Sequence, residues 1–543
     1  MSSYDGAARA VVSREYSVLS NSFVSNPYTT ILNPFQMKIY LLFSFLCLSA
    51  IVFGQNIITT ANGKIEGTQN VDKTVRIFKG IPFAAPPIGN LRWKAPQPVK
   101  NWSNVLKCDT YSASPIQNKP VPFMCWTEEF IAQPAPLSED CLYLNVWTSA
   151  KAKTEKQAVF VWIYGGGLSS GSSNCAIYDG EEMAKKGIVF VSINYRVGVL
   201  GFMAHPELSK ESGYNTSGNY GFLDQIAALK WIQKNISAFG GDPNNVTIAG
   251  QSAGSFSVNA LVASPLAKGL FHKAIAQSGG LLSKLLVKNL VEAEKQGTAF
   301  MEKANVSSIV ELRKKTAIEI QNLSNAKGMD RFGTTLDGYV LPSNLMQHFE
   351  KGLHNDVPLL TGWVTGDGGL MGSSDITVEQ FKKEAQANYG NKTEEFLKVF
   401  PATTDDEAKA LKSKLALFQF AATPSHLWAT FNKHPSYLYK FSHVPPDKPN
   451  FPNYGAFHTS EVPYALHSLK KWNRAWQQTD LDLESSMSSY WVNFAKTGNP
   501  NGIDLPEWKI YDKQTGNIME LGDRILLKTA LYKNEFNFLE NVR

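Results

Sequence analysis

Gly250-Gln251-Ser252-Ala253-Gly254 lies directly after the short apolar run Val246-Thr247-Ile248-Ala249 and before a stretch that reads as a helix. This strand–turn–helix setting demands a sharp turn at Ser252. Glycines on both sides of the serine let strand and helix approach with no side chain between them. Such a turn lifts a hydroxyl clear of the end of a sheet, where it can attack an acyl carbon. A five-residue pattern alone is a weak signal, because a small-residue turn looks the same. Its meaning depends on what else the chain supplies.

The surrounding pattern points to an α/β fold. Ala158-Val159-Phe160-Val161-Trp162-Ile163-Tyr164 is an unbroken apolar run that ends in Gly165-Gly166-Gly167, and Ile188–Ile193 is another. Runs that are apolar on both faces suit central strands of a sheet covered on both sides. Between them and the serine, Ile226, Leu229, Ile232 and Ile236 follow a helical period that Gly240-Gly241 ends. Strand, helix, strand, turn, helix builds βαβ units and a largely parallel central sheet with helices on both faces. Further strands are expected at 273–277, 357–361 and 436–441. Residues 285–350 and 375–430 carry a charged helical pattern and read as insertions near the carboxyl ends of the strands, where open sheets bind ligands.

The chain of 543 residues is 43% hydrophobic and 18% charged, with a formal net charge of +6. Its basic residues are scattered, so no nucleic-acid footprint is present. Met37-Lys38 and the apolar stretch Ile39–Gly54 read as a secretory signal, too short to span a membrane. The expected organisation is an extension at 1–36 that is no part of the native protein, a signal at 37–54, and a single α/β domain at 55–543. The product would be secreted or periplasmic, with Gln55 as its first residue. No later segment reads as a membrane helix. Asn101, Asn215, Asn235, Asn245, Asn305, Asn322 and Asn391 stand in N-x-S/T sequons. Cys108, Cys125, Cys141 and Cys175 follow the signal, and an even count in an exported chain permits disulfides. Cys125 and Cys141 close the shortest loop and are the expected pair.

A serine hydroxyl needs a base to take its proton, an acid to orient that base, and donors for the oxyanion. Gly165-Gly166-Gly167 exposes backbone N–H groups directly after a strand. Two of these with the N–H of Ala253 would make three donors. Among nine histidines, His458 stands out in the turn-rich stretch Gly455–Tyr464 after the 436–441 strand, with His443 as the alternative. Asp367 lies in Thr361–Gly369 just past a strand, at the same end of the sheet as Ser252, with Asp375 as the alternative. An aspartate among glycines is more often a turn former. The order serine, acid, histidine nevertheless matches hydrolases with this turn.

Together these pieces resemble the type-B carboxylesterase family of α/β-hydrolases, which includes cholinesterases and bacterial para-nitrobenzyl esterases. In texture the chain is most like the exported bacterial members. The likeness runs from about Ile57 to Trp508. It is carried by Glu139-Asp140-Cys141-Leu142-Tyr143-Leu144-Asn145-Val146-Trp147, Gly218–Gln225, Phe239-Gly240-Gly241-Asp242-Pro243 and Phe78–Ala84. The resemblance implies Ser252 as nucleophile, His458 as base, Asp367 at the acid position, and Gly166, Gly167 and Ala253 as oxyanion donors. It implies no metal and no organic cofactor, and a buried structural ion pair between Arg92 and Glu139.

The chain also departs from the family. The family acid is usually glutamate, so a shorter aspartate requires a closer loop. Tyr164 replaces a common histidine before the glycines. The family partner of Cys141 falls near Ser114, where no cysteine stands, so Cys125 or Cys108 substitutes or no bond forms. Gln251 replaces the glutamate that precedes the serine in cholinesterases. Ile131 stands about where those enzymes place a cation-binding tryptophan, with Trp126 not far off. The expected reaction is hydrolysis of neutral, moderately hydrophobic small-molecule esters. Amide or peptide hydrolysis by the same triad, or a non-catalytic adhesion role, are the alternatives. The oligomeric state is left open.

Overall fold

The computed structural model describes residues 56–134, 136–283, 287–371 and 375–542. The expected extension at 1–36 and signal at 37–54 lie outside the described residues. One large sheet organises the domain. Its strands in chain order are β1 (Thr68–Gln69), β2 (Arg76–Pro82), β3 (Tyr143–Thr148), β4 (Gln157–Ile163), β5 (Val189–Ile193), β6 (Gly241–Gln251), β7 (Lys273–Gln277), β8 (Leu359–Val364), β9 (Ser436–Phe441), β10 (Ile518–Leu521) and β11 (Ile525–Lys528). Across the sheet the order is β11-β10-β9-β8-β7-β6-β4-β5-β3-β2-β1. The pairs from β5 through β4, β6, β7, β8 and β9 to β10 are all parallel. Antiparallel strands finish both ends.

The unbroken apolar runs become the central strands because both of their faces are covered. Every residue of β5, and all of β4 after Gln157, is buried. On β6 successive side chains alternate between faces. The Thr247 hydroxyl reaches the Ala495 carbonyl of the helix α4 (Gln478–Thr497) at 3.5 Å. Gly250 faces the other way, against the helix α2 (Ala253–Ala263). The expected helix is α1 (Tyr220–Asn235), joined to α2 by the Gln225–Ser257 hydrogen bond at 2.9 Å. Gly240, at φ 85°, closes the short turn that follows it. Fully burying one aliphatic or aromatic side chain of such a layer stabilises by about 1.5–3 kcal/mol, so this covered sheet is the main source of the domain's stability.

Two insertions crown the carboxyl ends of the strands, as expected. The first pairs the short strands Val287–Asn289 and Thr334–Leu336 and carries the helices Leu290–Lys303 and Ala317–Ser324. The second contains Val378–Tyr389, Asp405–Leu417 and α3 (Thr423–Phe431). Part of the second insertion packs as its own small core around Phe381, Phe396 and Phe400. No helix among the described residues is long and apolar enough to cross a membrane.

Two buried arginines of the scaffold are paired with carboxylates. Arg92 and Glu139 meet in a two-pronged bond with both N···O distances at 2.6 Å, the pair the resemblance implied. The Arg196–Asp224 pair, also bidentate, is more deeply buried and was not read from the sequence. The expected Cys125–Cys141 disulfide is not formed: Cys108, Cys125, Cys141 and Cys175 are all buried free thiols. A bridge needs the two backbones close and the side chains aimed at each other. Here Cys125 packs among Thr127, Trp472 and the 445–455 loop. Cys141 instead lies beside Arg92, Glu139 and Arg196. Burial pushes the Cys125 thiol up to about 12, so it is neither charged nor nucleophilic near neutral pH.

Candidate active site

Ser252 stands where β6 turns into α2, with φ 58° and ψ −123°. A non-glycine residue held there stores about 1–3 kcal/mol of strain. The flanking glycines make the turn sterically feasible. A Cβ on Gly254 would lie 2.0 Å from the Ile163 carbonyl oxygen, and one on Gly250 would lie 2.5 Å from Gly254. The Ser252 N–H is tied to the Gln277 carbonyl at 2.9 Å, which fixes the turn to β7. Ala253 opens α2, so its N–H has no partner within the helix and carries the positive end of the helix dipole.

The glycine run after β4 lies against this turn. A Cβ on Gly165 would come within 2.7 Å of the Gln251 carbonyl and 3.0 Å of Ser252 Cβ. Gly166 and Gly167 adopt φ 109° and 64°. Their N–H groups find no acceptor among the described residues. Tyr164 explains how the run is held without the family histidine. Its hydroxyl donates to the Tyr195 carbonyl at 3.0 Å, Tyr195 returns a bond to the Tyr164 carbonyl at 2.9 Å, and the rings stack. The peptide that begins the glycine run is therefore locked.

Asp367 and His458 come from loops after β8 and β9, neighbouring strands of the sheet. His458 Nδ1 lies 2.5 Å from Asp367 Oδ1, and Asp367 Oδ2 accepts the Val364 N–H at 2.9 Å. Asp367 is fully buried and His458 is 4% exposed. A carboxylate on Nδ1 puts the proton there and leaves Nε2 as the basic nitrogen. The shorter acid reaches because its loop is pressed close. Gly366 donates its N–H to the Ala456 carbonyl at 2.9 Å, and a Cβ on Gly366 would strike that oxygen at 2.3 Å. The edges of Trp126 and Phe420 wall the imidazole, with centroids 6.4 and 5.5 Å away.

Ser252, Ala253, Gly165, Gly166, Gly167 and His458 all line one cavity of about 690 Å³. Asp367 sits behind His458, out of the cavity. The Gln251 side-chain nitrogen lies beside the imidazole, 3.2 Å from Nε2 and 3.4 Å from Nδ1. Ile131 and Trp126 both line the cavity, and Trp126 Nε1 donates to Thr459 Oγ1 at 3.2 Å. The alternatives named from sequence lie elsewhere. His443 has both ring nitrogens engaged, by Asp523 and Asp480 at 2.7 Å each. Asp375 is 95% exposed and paired with Lys409.

A second buried carboxylate was missed. Glu461, three residues past His458, is fully buried. Burial first, and then the nearby Asp367 charge, push its carboxyl up to about 8. Its Oε1 accepts from Gln277 at 3.4 Å. At neutral pH it is therefore protonated. An acid raised on folding binds its proton more tightly in the native state, so its contribution to stability is lost as pH rises from its unfolded value toward 8. The slope is about 1.4 kcal/mol per pH unit. Glu461→Gln keeps the shape without the titration. Its melting temperature relative to wild type should climb between pH 5 and 8 and level off above. Parallel curves across that range would show that Glu461 does not titrate there.

A sequence model of the carboxylesterase family matches residues 54–539. Fumonisin B1 esterase of Sphingopyxis macrogoltabida is 35% identical over 488 residues, 86% of each chain. Para-nitrobenzyl esterase of Bacillus subtilis (strain 168) is 33% identical, over 87% of this chain and 96% of its own. The solved structure of a thermophilic PNB esterase superimposes with a TM-score of 0.76 at 30% identity, covering 89% of this chain and all of the other. The expected α/β-hydrolase architecture is thus matched by experimental structures, and the chain belongs to the carboxylesterase family and is an ester hydrolase.

Proposed function

We propose that ester cleavage runs through an acyl-enzyme on Ser252. His458 Nε2 takes the Ser252 proton as the hydroxyl attacks the ester carbonyl. The N–H groups of Gly166, Gly167 and Ala253 hold the oxyanion. His458 returns the proton to the leaving alcohol, and water repeats the cycle to release the acid. Asp367 orients the imidazole and balances its charge. The observation that carries this reading is the buried Asp367–His458 bond at the wall of the cavity that Ser252 enters from its strained turn. A fluorophosphonate probe should add its mass to the peptide that contains Ser252 and abolish turnover. Label on another residue, or activity surviving full labelling, would overturn the assignment.

The apolar run at 39–54 supports a further reading, export with removal of the signal. Expression in a secreting host should yield a product beginning at Gln55, by N-terminal sequencing. An intact N-terminus on the released protein would refute it.

A further inference from the structure

The cavity over Ser252 is lined by two kinds of residue. Val121, Phe123, Met124 and Phe420 supply apolar surface, whereas Asn118, Lys119, Asn325 and Arg331 supply amides and cations. Arg331 comes from the first insertion, yet its Nη1 stands 3.3 Å from the point a Cβ on Gly167 would occupy. A guanidinium thus borders one of the proposed oxyanion glycines. The only carboxylate among the described lining residues is Asp330, which Lys288 meets at 3.3 Å. Neither Arg331 nor Lys119 has an ion pair or hydrogen bond among the described residues. A neutral hydrophobic ester would use the apolar side chains and leave both cations idle.

We propose that this site takes esters that carry a free carboxylate, held by Arg331, with Lys119 adding positive charge to the same cavity. The proposal rests on Ser252 and the Gly167 N–H acting as described above. Guanidinium is the side chain best matched to a carboxylate, through two parallel N–H···O bonds. An oxyanion at hydrogen-bond distance from the Gly167 nitrogen lies within about 9 Å of Arg331 Nη1. A carboxylate on a chain of a few carbons from the scissile carbonyl reaches that far, so half-esters of dicarboxylic acids fit. The apolar side chains of the cavity take the remainder of the molecule.

The test compares 4-nitrophenyl hydrogen adipate with 4-nitrophenyl hexanoate, acyl chains of equal length that differ in the terminal charge. The wild-type kcat/KM ratio should favour the half-ester by about tenfold, the factor that 1.4 kcal/mol supplies. Raising the salt should shrink the ratio, since an open charge pair is screened. Arg331→Gln should bring it near or below one. A wild-type ratio at or below one, or a ratio that Arg331→Gln leaves unmoved while hexanoate is still cleaved, overturns the carboxylate proposal and spares the serine reading. Failure of the wild-type protein on both esters strikes the serine reading and this one with it.

Discussion

Ser252→Ala should lower kcat on a short-chain aryl ester by at least about a thousandfold while leaving the melting temperature within a degree or two. The two halves of that expectation come from the same geometry. The turn at Ser252 is set by backbone, through the 2.9 Å bond to Gln277 and the tight approach of Gly250 and Gly254 to their neighbours. Alanine accepts the same positive φ at a cost similar to serine's, so the fold keeps the strain in either case. Only the oxygen is lost, and with it the covalent route. What remains is positioning and the oxyanion donors, which by themselves sustain a weak background. Steady-state kinetics with a melting curve on the same sample reads both. A loss of under tenfold with an intact fold would remove Ser252 from the nucleophile's role.

Asp367→Asn should cost about a thousand- to ten-thousandfold in kcat, with KM little changed. The carboxylate accepts two N–H groups, from His458 Nδ1 and from Val364, and is fully buried. An amide in that place can satisfy only one of them with its oxygen. If the oxygen keeps Val364, its nitrogen faces Nδ1 and drives the ring proton to Nε2, which then cannot accept from serine. The imidazolium formed during reaction also loses its counter-charge in a buried setting, where that charge matters most. Asp367→Glu retains the charge but adds a methylene to a loop already in contact with Ala456. Its loss should be smaller than that of the amide and should appear with a lower melting temperature. An Asp367→Asn enzyme within tenfold of wild type would mean that His458 is oriented by something else.

Much of this was legible along the chain because it is local. Period and glycine placement located the central strands, and 273–277 and 436–441 appear with those bounds. The Ser252 turn, the glycine run and the Asp367 loop each sit at the end of an apolar run, so strand ends could be lined up before any contact was known. His458 was harder, since a loop histidine has no periodic signature. It needed chain order and family likeness to separate it from His443, which the structure commits to Asp480 and Asp523 instead.

The sequence by itself determined the α/β layering and the sharp turn at Ser252, because each depends on residues a few positions apart. Only the tertiary structure decided what depends on distant segments meeting. It brings the Asp367 loop close enough for a short side chain to reach His458. It buries Glu461 beside that acid, and it keeps Cys125 and Cys141 in separate packing environments. It also carries Arg331 from an insertion to the side of Gly167. Burial, charge pairing and the approach of one loop to another are properties of the packed chain. Spacing along the sequence carries no record of them.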